Sequence, residues 1–156
     1  MLTRYINCKH TITNEFNEKK LNLKRSERTV ADNLRLEKGL IHEVDYFKEL
    51  SKKYKKVKNI KVLKNLSKEE KIKETNKALK EGYELIYGGW LKSGNWSGEL
   101  DFLEINNEVK SNLGNYSYEI TDTKNSSKVK GDHIYQVCLY SFLLQQAQGT
   151  LSDHFF

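Results

Sequence analysis

Asp122 and Lys124 close a β-like run from Tyr116 to Lys124. Side chains alternate between faces along a strand, so Tyr118, Ile120, Asp122 and Lys124 point one way and Glu119, Thr121 and Thr123 the other. A carboxylate and an ammonium about 7 Å apart at a strand end, with apolar residues behind them, can hold a divalent cation and orient an attacking water beside it. Viewed alone, the same pair reads as a surface salt bridge. Spacing decides nothing, because in a chain with 31% charged residues Glu18-Lys-Lys20, Glu69-Glu-Lys71 and Glu108-Val-Lys110 share it. What favours Asp122 is its place at the end of an apolar strand and a second acid, Asp101, in the neighbouring run Trp96 to Ile105. Glu108 falls in a turn-rich link with no apolar face behind it.

The elements that must position these residues follow from periodicity. Leu36, Leu40, Val44, Phe47, Leu50 and Tyr54 recur every three or four positions, which predicts a helix with one buried face. At about 100° per residue, Glu43 projects into that apolar stripe and His42 onto its flank. A carboxylate there requires a partner. Ser67, with Glu70 three residues on, predicts a capped helix from Lys68 to Glu81 that Gly82 ends, a charged element suited to scaffold. Glu84 to Leu91 and Trp96 to Ile105 are β-like and joined by Lys92 to Asn95; with Tyr116 to Lys124 they suggest an antiparallel meander. The strand aromatics Trp90, Trp96, Tyr116 and Tyr118 are expected in the core. After a polar loop from Asn125 to Gly131, helical spacing returns over Asp132 to Gln146 through Ile134, Val137, Tyr140 or Ser141, and Leu144. The first segment, Leu2 to Arg28, reads as a short helix and a loop.

At 156 residues the chain has the length of one domain. No apolar run of about 18 residues and no signal-peptide pattern at the start point to a membrane span or secretion, which predicts a cytoplasmic protein without a membrane partner. Cys8 and Cys138 are too few and too far apart for a disulfide framework or a four-cysteine cluster, so both thiols are expected reduced. Cys8-Lys-His10 lacks a second ligand pair to complete a zinc site, which leaves Cys8 as a small buried thiol. The net charge of +6 is compatible with a polyanionic partner. The lysine, asparagine and isoleucine bias and the absence of proline equally fit an AT-rich genome.

Gly39-Leu-Ile-His42-Glu43 on a helix, Gly98-Glu-Leu-Asp101-Phe-Leu103 on a strand, Tyr118-Glu-Ile-Thr-Asp122-Thr-Lys124 on the next strand and Gln136-Val-Cys-Leu-Tyr140 on the following helix resemble, in order, the motifs of RecB-like nucleases of the PD-(D/E)XK superfamily. Tyr5-Ile-Asn-Cys8-Lys-His10 is similar to the start of the predicted RecB-family nucleases related to CRISPR-associated exonucleases, so the likeness covers nearly the whole chain. It implies an α/β, restriction-endonuclease-like core over residues 1–156, with a central mixed sheet of three to four strands flanked by helices. It also implies a metal-dependent DNA nuclease, of exonuclease type, in DNA repair, recombination or defence, acting on single-stranded DNA or free ends and within a helicase or larger nuclease complex. In such nucleases His42, Asp101 and Asp122 would bind Mg²⁺ or Mn²⁺ with the main-chain carbonyl of Thr123, and Lys124 would position water. Glu43 would orient a ligand or that water, and Gln136 and Tyr140, one helical turn apart, would border the site and touch DNA. Hard cations and carboxylate oxygens suit each other, and an imidazole ligand shifts preference toward Mn²⁺. Asp122→Ala or Lys124→Ala is then expected to lose cleavage with folding retained.

Outside the resemblance, His42 reads as a partly buried structural histidine and Gln136 with Tyr140 as a polar pair on an amphipathic helix. Several relatives hold an iron–sulfur cluster with one early and three late cysteines; the late group is missing here and no cluster is expected. Relatives continue beyond the segment Gln146 to Phe156 and begin with a longer leading helix, so the chain reads as a fragment or as a minimal form that lost an edge strand. A catalytically silent nucleic-acid-binding module of the same fold is the second reading. A basic scaffold for an acidic partner is the third, and it predicts that His42, Asp101, Asp122 and Lys124 do not cluster.

Overall fold

Ser93 and Trp96 face each other across the two-residue turn Gly94-Asn95, where only Gly94 takes a positive φ (+54°), the pattern of a type II′ hairpin. This turn folds β2 (Leu85–Ser93) back on β3 (Trp96–Asn106), and β4 (Ser117–Thr121) adds antiparallel to β3. The meander is as expected, except that β4 stops at Thr121, so Asp122 and Lys124 follow the strand and do not end it. The computed structural model, which describes residues 2–124, 128 and 130–151, adds one strand to it: β1 (Val57–Asn59) lies parallel to β2, so the sheet is mixed, in the order β1-β2-β3-β4. Most of the loop from Asn125, and the segment from Ser152 to Phe156, lie outside the described residues. The chain thus has an α/β fold with a four-stranded mixed sheet flanked by helices: α1 (Leu2–Asn7), α2 (Lys9–Asn17), α3 (Val30–Ser51), α4 (Lys68–Lys80) and α5 (Gly131–Gln148).

β2 alternates its side chains between two cores. Ile86 joins the larger one with Leu103, Tyr118, Ile120 and the helix residues Leu79, Leu143 and Leu144, while Leu85 and Tyr87 join Phe102 and Leu50 of α3 on the opposite face. The larger core lies under α4 and α5. α4 carries the anticipated capping box, with Ser67 and Glu70 exchanging hydrogen bonds, and it ends before Gly82, at φ +63°. α5 buries Val137, Tyr140 and Leu144 as expected, whereas Ile134 at the first turn is exposed.

α3 departs from the amphipathic reading. It starts at Val30 rather than near Leu36, because Thr29 and Asp32 form a capping box upstream. It ends at Ser51, and the Tyr54 hydroxyl beyond it donates to Glu104 (2.8 Å). Leu36, Leu40 and Val44 are exposed, so half of the predicted stripe covers nothing among the described residues. A 22-residue helix is roughly 33 Å long; only its final turns, through Tyr46, Phe47 and Leu50, reach the sheet. The leading segment forms two short helices instead of one, and Cys8 between them is exposed rather than buried, as is Cys138. Among the described residues no helix is long and apolar enough to cross a membrane.

β4 is a sheet edge, and Gln148, fully buried near the end of α5, covers it. Its side-chain carbonyl accepts from Tyr118 N–H (2.7 Å) and its amide donates to the Tyr118 carbonyl (3.2 Å). A single amide thus satisfies one residue of backbone that a further strand would otherwise pair.

Candidate active site

The β2–β3 ladder pairs Tyr87 with Phe102 and Gly89 with Leu100, a register that sets Gly88 opposite Asp101. Gly88 sits at φ +69°, and a Cβ there would lie 2.2 Å from Cγ of Lys61. Only a glycine lets the lysine stem cross the strand at this point. Lys61 thereby delivers its ammonium to the Glu43 carboxylate on α3, with which it forms a short ion pair, and to within 3.7 Å of Glu99 on β3. Burial alone would pull the Lys61 ammonium down. The hydrogen bond to Glu43 and the charges of Glu43, Glu99 and Asp101 outweigh it and hold the group above its ordinary value. Glu43 also engages the Tyr87 hydroxyl, which burial, this acid, Asp101 and Glu99 together push upward.

Asp101 lies beside this group, opposite Gly88. Its Oδ2 accepts from the Thr123 N–H (3.0 Å) and the Thr123 hydroxyl (3.1 Å), which ties the acid of β3 to the backbone just past β4. Asp122, one residue earlier, follows the buried strand residues Tyr118 and Ile120. Its side chain is only 3% exposed, so its pairing with Lys124 (Nζ to Oδ2, 2.5 Å) is not the surface salt bridge that the strand by itself suggests. Its second oxygen, Oδ1, is buried without a hydrogen-bond partner among the described residues. Burial and then the Asp122 charge raise the Asp101 carboxyl above the ordinary range, although the Thr123 hydrogen bond and the Lys124 and Lys61 charges oppose this. The Asp122 charge thus adds to the burial that disfavours ionisation of Asp101.

Gln136 and Tyr140 do face the same way on α5, and the Gln136 amide donates to the Tyr140 hydroxyl (2.7 Å). Burial pushes that hydroxyl up to about 12; Gln136 counters this while Asp122, Asp101 and Glu99 add to it, so the pair borders the acids. His42 is exposed on α3, and among the described residues no three of the His, Cys, Asp and Glu side chains converge as a metal-binding group. The structure thus brings together Asp101, Asp122, Thr123, Lys124, Gln136 and Tyr140, sets Glu43 behind Lys61, and does not gather His42 with the two acids. A divalent cation fits the acid pair: hard carboxylate oxygens, one of them unpartnered and buried, are the donors such ions prefer.

Sequence reasoning missed Lys61, Tyr87, Gly88 and Glu99. Lys61 was hidden in the basic stretch from Lys55 to Leu66, yet the need of Glu43 for a partner was the signal that pointed to a nearby cation. Placing the strand aromatics in the core holds for Tyr118 and fails for Trp96, which is half-exposed, and in part for Trp90. Both indoles line a groove of about 640 Å³ that runs past Glu99 to Gln136 and Tyr140. No protein-family model, no curated protein and no solved structure matches this chain.

Proposed function

We propose that this chain is a Mg²⁺- or Mn²⁺-dependent DNA nuclease of the RecB-like PD-(D/E)XK type, with Asp101 and Asp122 as the acids that hold the cation. The observation that carries the reading is the buried, unpartnered Oδ1 of Asp122 next to an Asp101 whose ionisation it penalises. Such a pair is costly in an apolar setting unless positive charge joins it. When bound, the cation supplies charge that offsets what builds on a phosphate under attack. Lys124 is held just past β4 by Asp122 and offers its remaining donors to a phosphate oxygen or a water. Thr123 fixes the Asp101 rotamer. Gln136 and Tyr140 present an amide and a hydroxyl toward the entering strand.

The test is thermal unfolding alongside cleavage. Mn²⁺ at about a hundredfold excess over its Kd raises the melting temperature of the wild type by roughly 5–10 °C. Asp122→Asn loses that rise, melts no lower than the wild type without metal, and cuts linear DNA at least about a hundredfold more slowly. A wild type whose melting does not respond to either ion sinks the proposal. Circular substrate separates exonuclease from endonuclease action.

Two observations favour the second reading, a catalytically silent nucleic-acid-binding module: Glu43 is committed to Lys61, and His42 lies apart from the acids. That reading predicts DNA binding and a metal response without cleavage of any DNA form.

A further inference from the structure

Lys61 is enclosed to a degree that a surface ion pair is not. Its stem crosses β2 in the notch left by Gly88, where a Cβ would lie 2.2 Å from the lysine Cγ. Its ammonium then meets Glu43 of α3 in the short ion pair, Glu99 of β3 at 3.7 Å, and the face of the Tyr87 ring, 5.3 Å from the centroid. The Tyr87 hydroxyl bonds to Glu43 as well, so that carboxylate is held from two sides. The Glu43 side chain is only 12% exposed. Asp101 follows Glu99 by two residues on β3, and the charges of both reach the ammonium. Carboxylates from two elements thus surround one tethered cation, beside the acids proposed to hold a divalent one.

We propose that the Lys61 ammonium stands where a second divalent cation would otherwise bind, holding Glu43 and Glu99 off the ion at Asp101 and Asp122 and limiting the site to that one. The inference deepens the nuclease reading, on which it rests for the one ion, and gives a positioning role to a lysine outside the motifs. Carboxylate oxygens around an ammonium are also the donors that Mg²⁺ and Mn²⁺ take, so the two kinds of cation compete for the same lone pairs. A divalent ion must shed water to enter, whereas the lysine is tethered to the fold and is present at every ion concentration. Its positive charge repels a further cation at this range, and a partly closed pocket screens that repulsion poorly. Glu43, adjacent to His42 in the helix motif, is left serving the lysine instead of the metal.

Counting Mn²⁺ on the full chain tests this, with the free ion read from its electron paramagnetic resonance signal. The wild type is expected to bind one ion. Lys61→Met gains one more, with a Kd on the order of 10⁻³ M because two carboxylates and water supply its ligands. Lys61→Arg, which keeps the charge, stays at one. Glu99→Gln removes the added ion from Lys61→Met yet changes the wild-type affinity less than about threefold. Lys61→Met with the same count as the wild type, or a wild type that binds two ions, overturns the proposal. Should Lys61→Met not fold, as followed by circular dichroism, the wild-type background decides: Glu99→Gln, at an acid 41% exposed, either keeps the ion as expected or loses it and overturns the proposal. The two readings fail separately. A wild type without an ion whose Lys61→Met variant binds one refutes the acid-pair site and supports the role of Lys61; one ion in both does the reverse.

Discussion

The two faces of the sheet are built differently. Under α4 and α5, Leu79, Leu103, Tyr118, Ile120, Leu143 and Leu144 are almost wholly buried in one continuous core. Under α3 the buried set is Leu50, Leu85, Tyr87 and Phe102, roofed by half-buried aromatics, and the helix is further held by the Glu43–Lys61 ion pair. Phe47 stacks on Tyr87 at 4.3 Å and Tyr87 on Phe102 at 5.0 Å, so this thinner layer relies on ring contacts. Apolar area removed from water scales with stability, so the α4/α5 face holds the fold together and the α3 face is a lighter cover. Asp101 stands opposite Gly88, whose positive φ (+69°) makes the backbone irregular beside Lys61.

Cavities test this contrast most strongly. Ile120→Ala in the larger core is expected to cost about 4 kcal/mol and Leu50→Ala, whose cluster can relax toward solvent, about 2 kcal/mol. Denaturant unfolding measures both, and equal losses would break the distinction. Next is the ionic tether: Lys61→Met leaves Glu43 half-buried without its cation, a loss of about 1–2 kcal/mol after allowing for a lysine side chain that is 28% exposed. A double-mutant cycle with Glu43→Gln should show the two changes to be non-additive. The smallest effect separates the two helix caps. Ser67 holds the Glu70 carboxyl below its ordinary value, first through its hydroxyl and then through its N–H. A depressed folded value means that this stabilisation is present above the ordinary carboxylate pKa, about 4.3, and fades as pH falls through the folded value. The stability gap between wild type and Glu70→Gln is therefore steady at neutral pH and closes in acid. Asp32→Asn, at the end of α3 remote from the sheet, should scarcely move global unfolding at any pH, as followed by circular dichroism.

Much of the fold was legible along the chain because its signals are local. The Ser67–Glu70 cap, the Gly82 stop and the period-two strands each lie within a few residues, and they mark α4 and the meander closely. β1 escaped because three residues in a basic stretch show no alternation, and its pairing with β2 spans a helix. The exposed half of α3 has the same cause. A stripe of leucines announces a helix with an apolar side, but its spacing does not say how far the sheet beneath it extends. Gln148 is the plainest omission: a glutamine in a helix carries no mark of serving a strand edge until α5 and β4 are brought together.

For the candidate site the division is similar. By itself the sequence determined that Asp101 lies within a strand, that Gln136 and Tyr140 share a helix face, and that Glu43 needed a counter-charge; Asp122 and Lys124, expected to end the third strand, instead follow β4, which stops at Thr121. Chain geometry of two kinds, period 2 and period 3.6, suffices for the first three. Only the tertiary structure decided that Asp122 is buried with an unpartnered oxygen, that Lys61 is the counter-charge, that His42 stands apart, and that two tryptophans face a groove instead of the core. Burial and charge pairing depend on which distant segments meet, and residue spacing carries no record of that meeting.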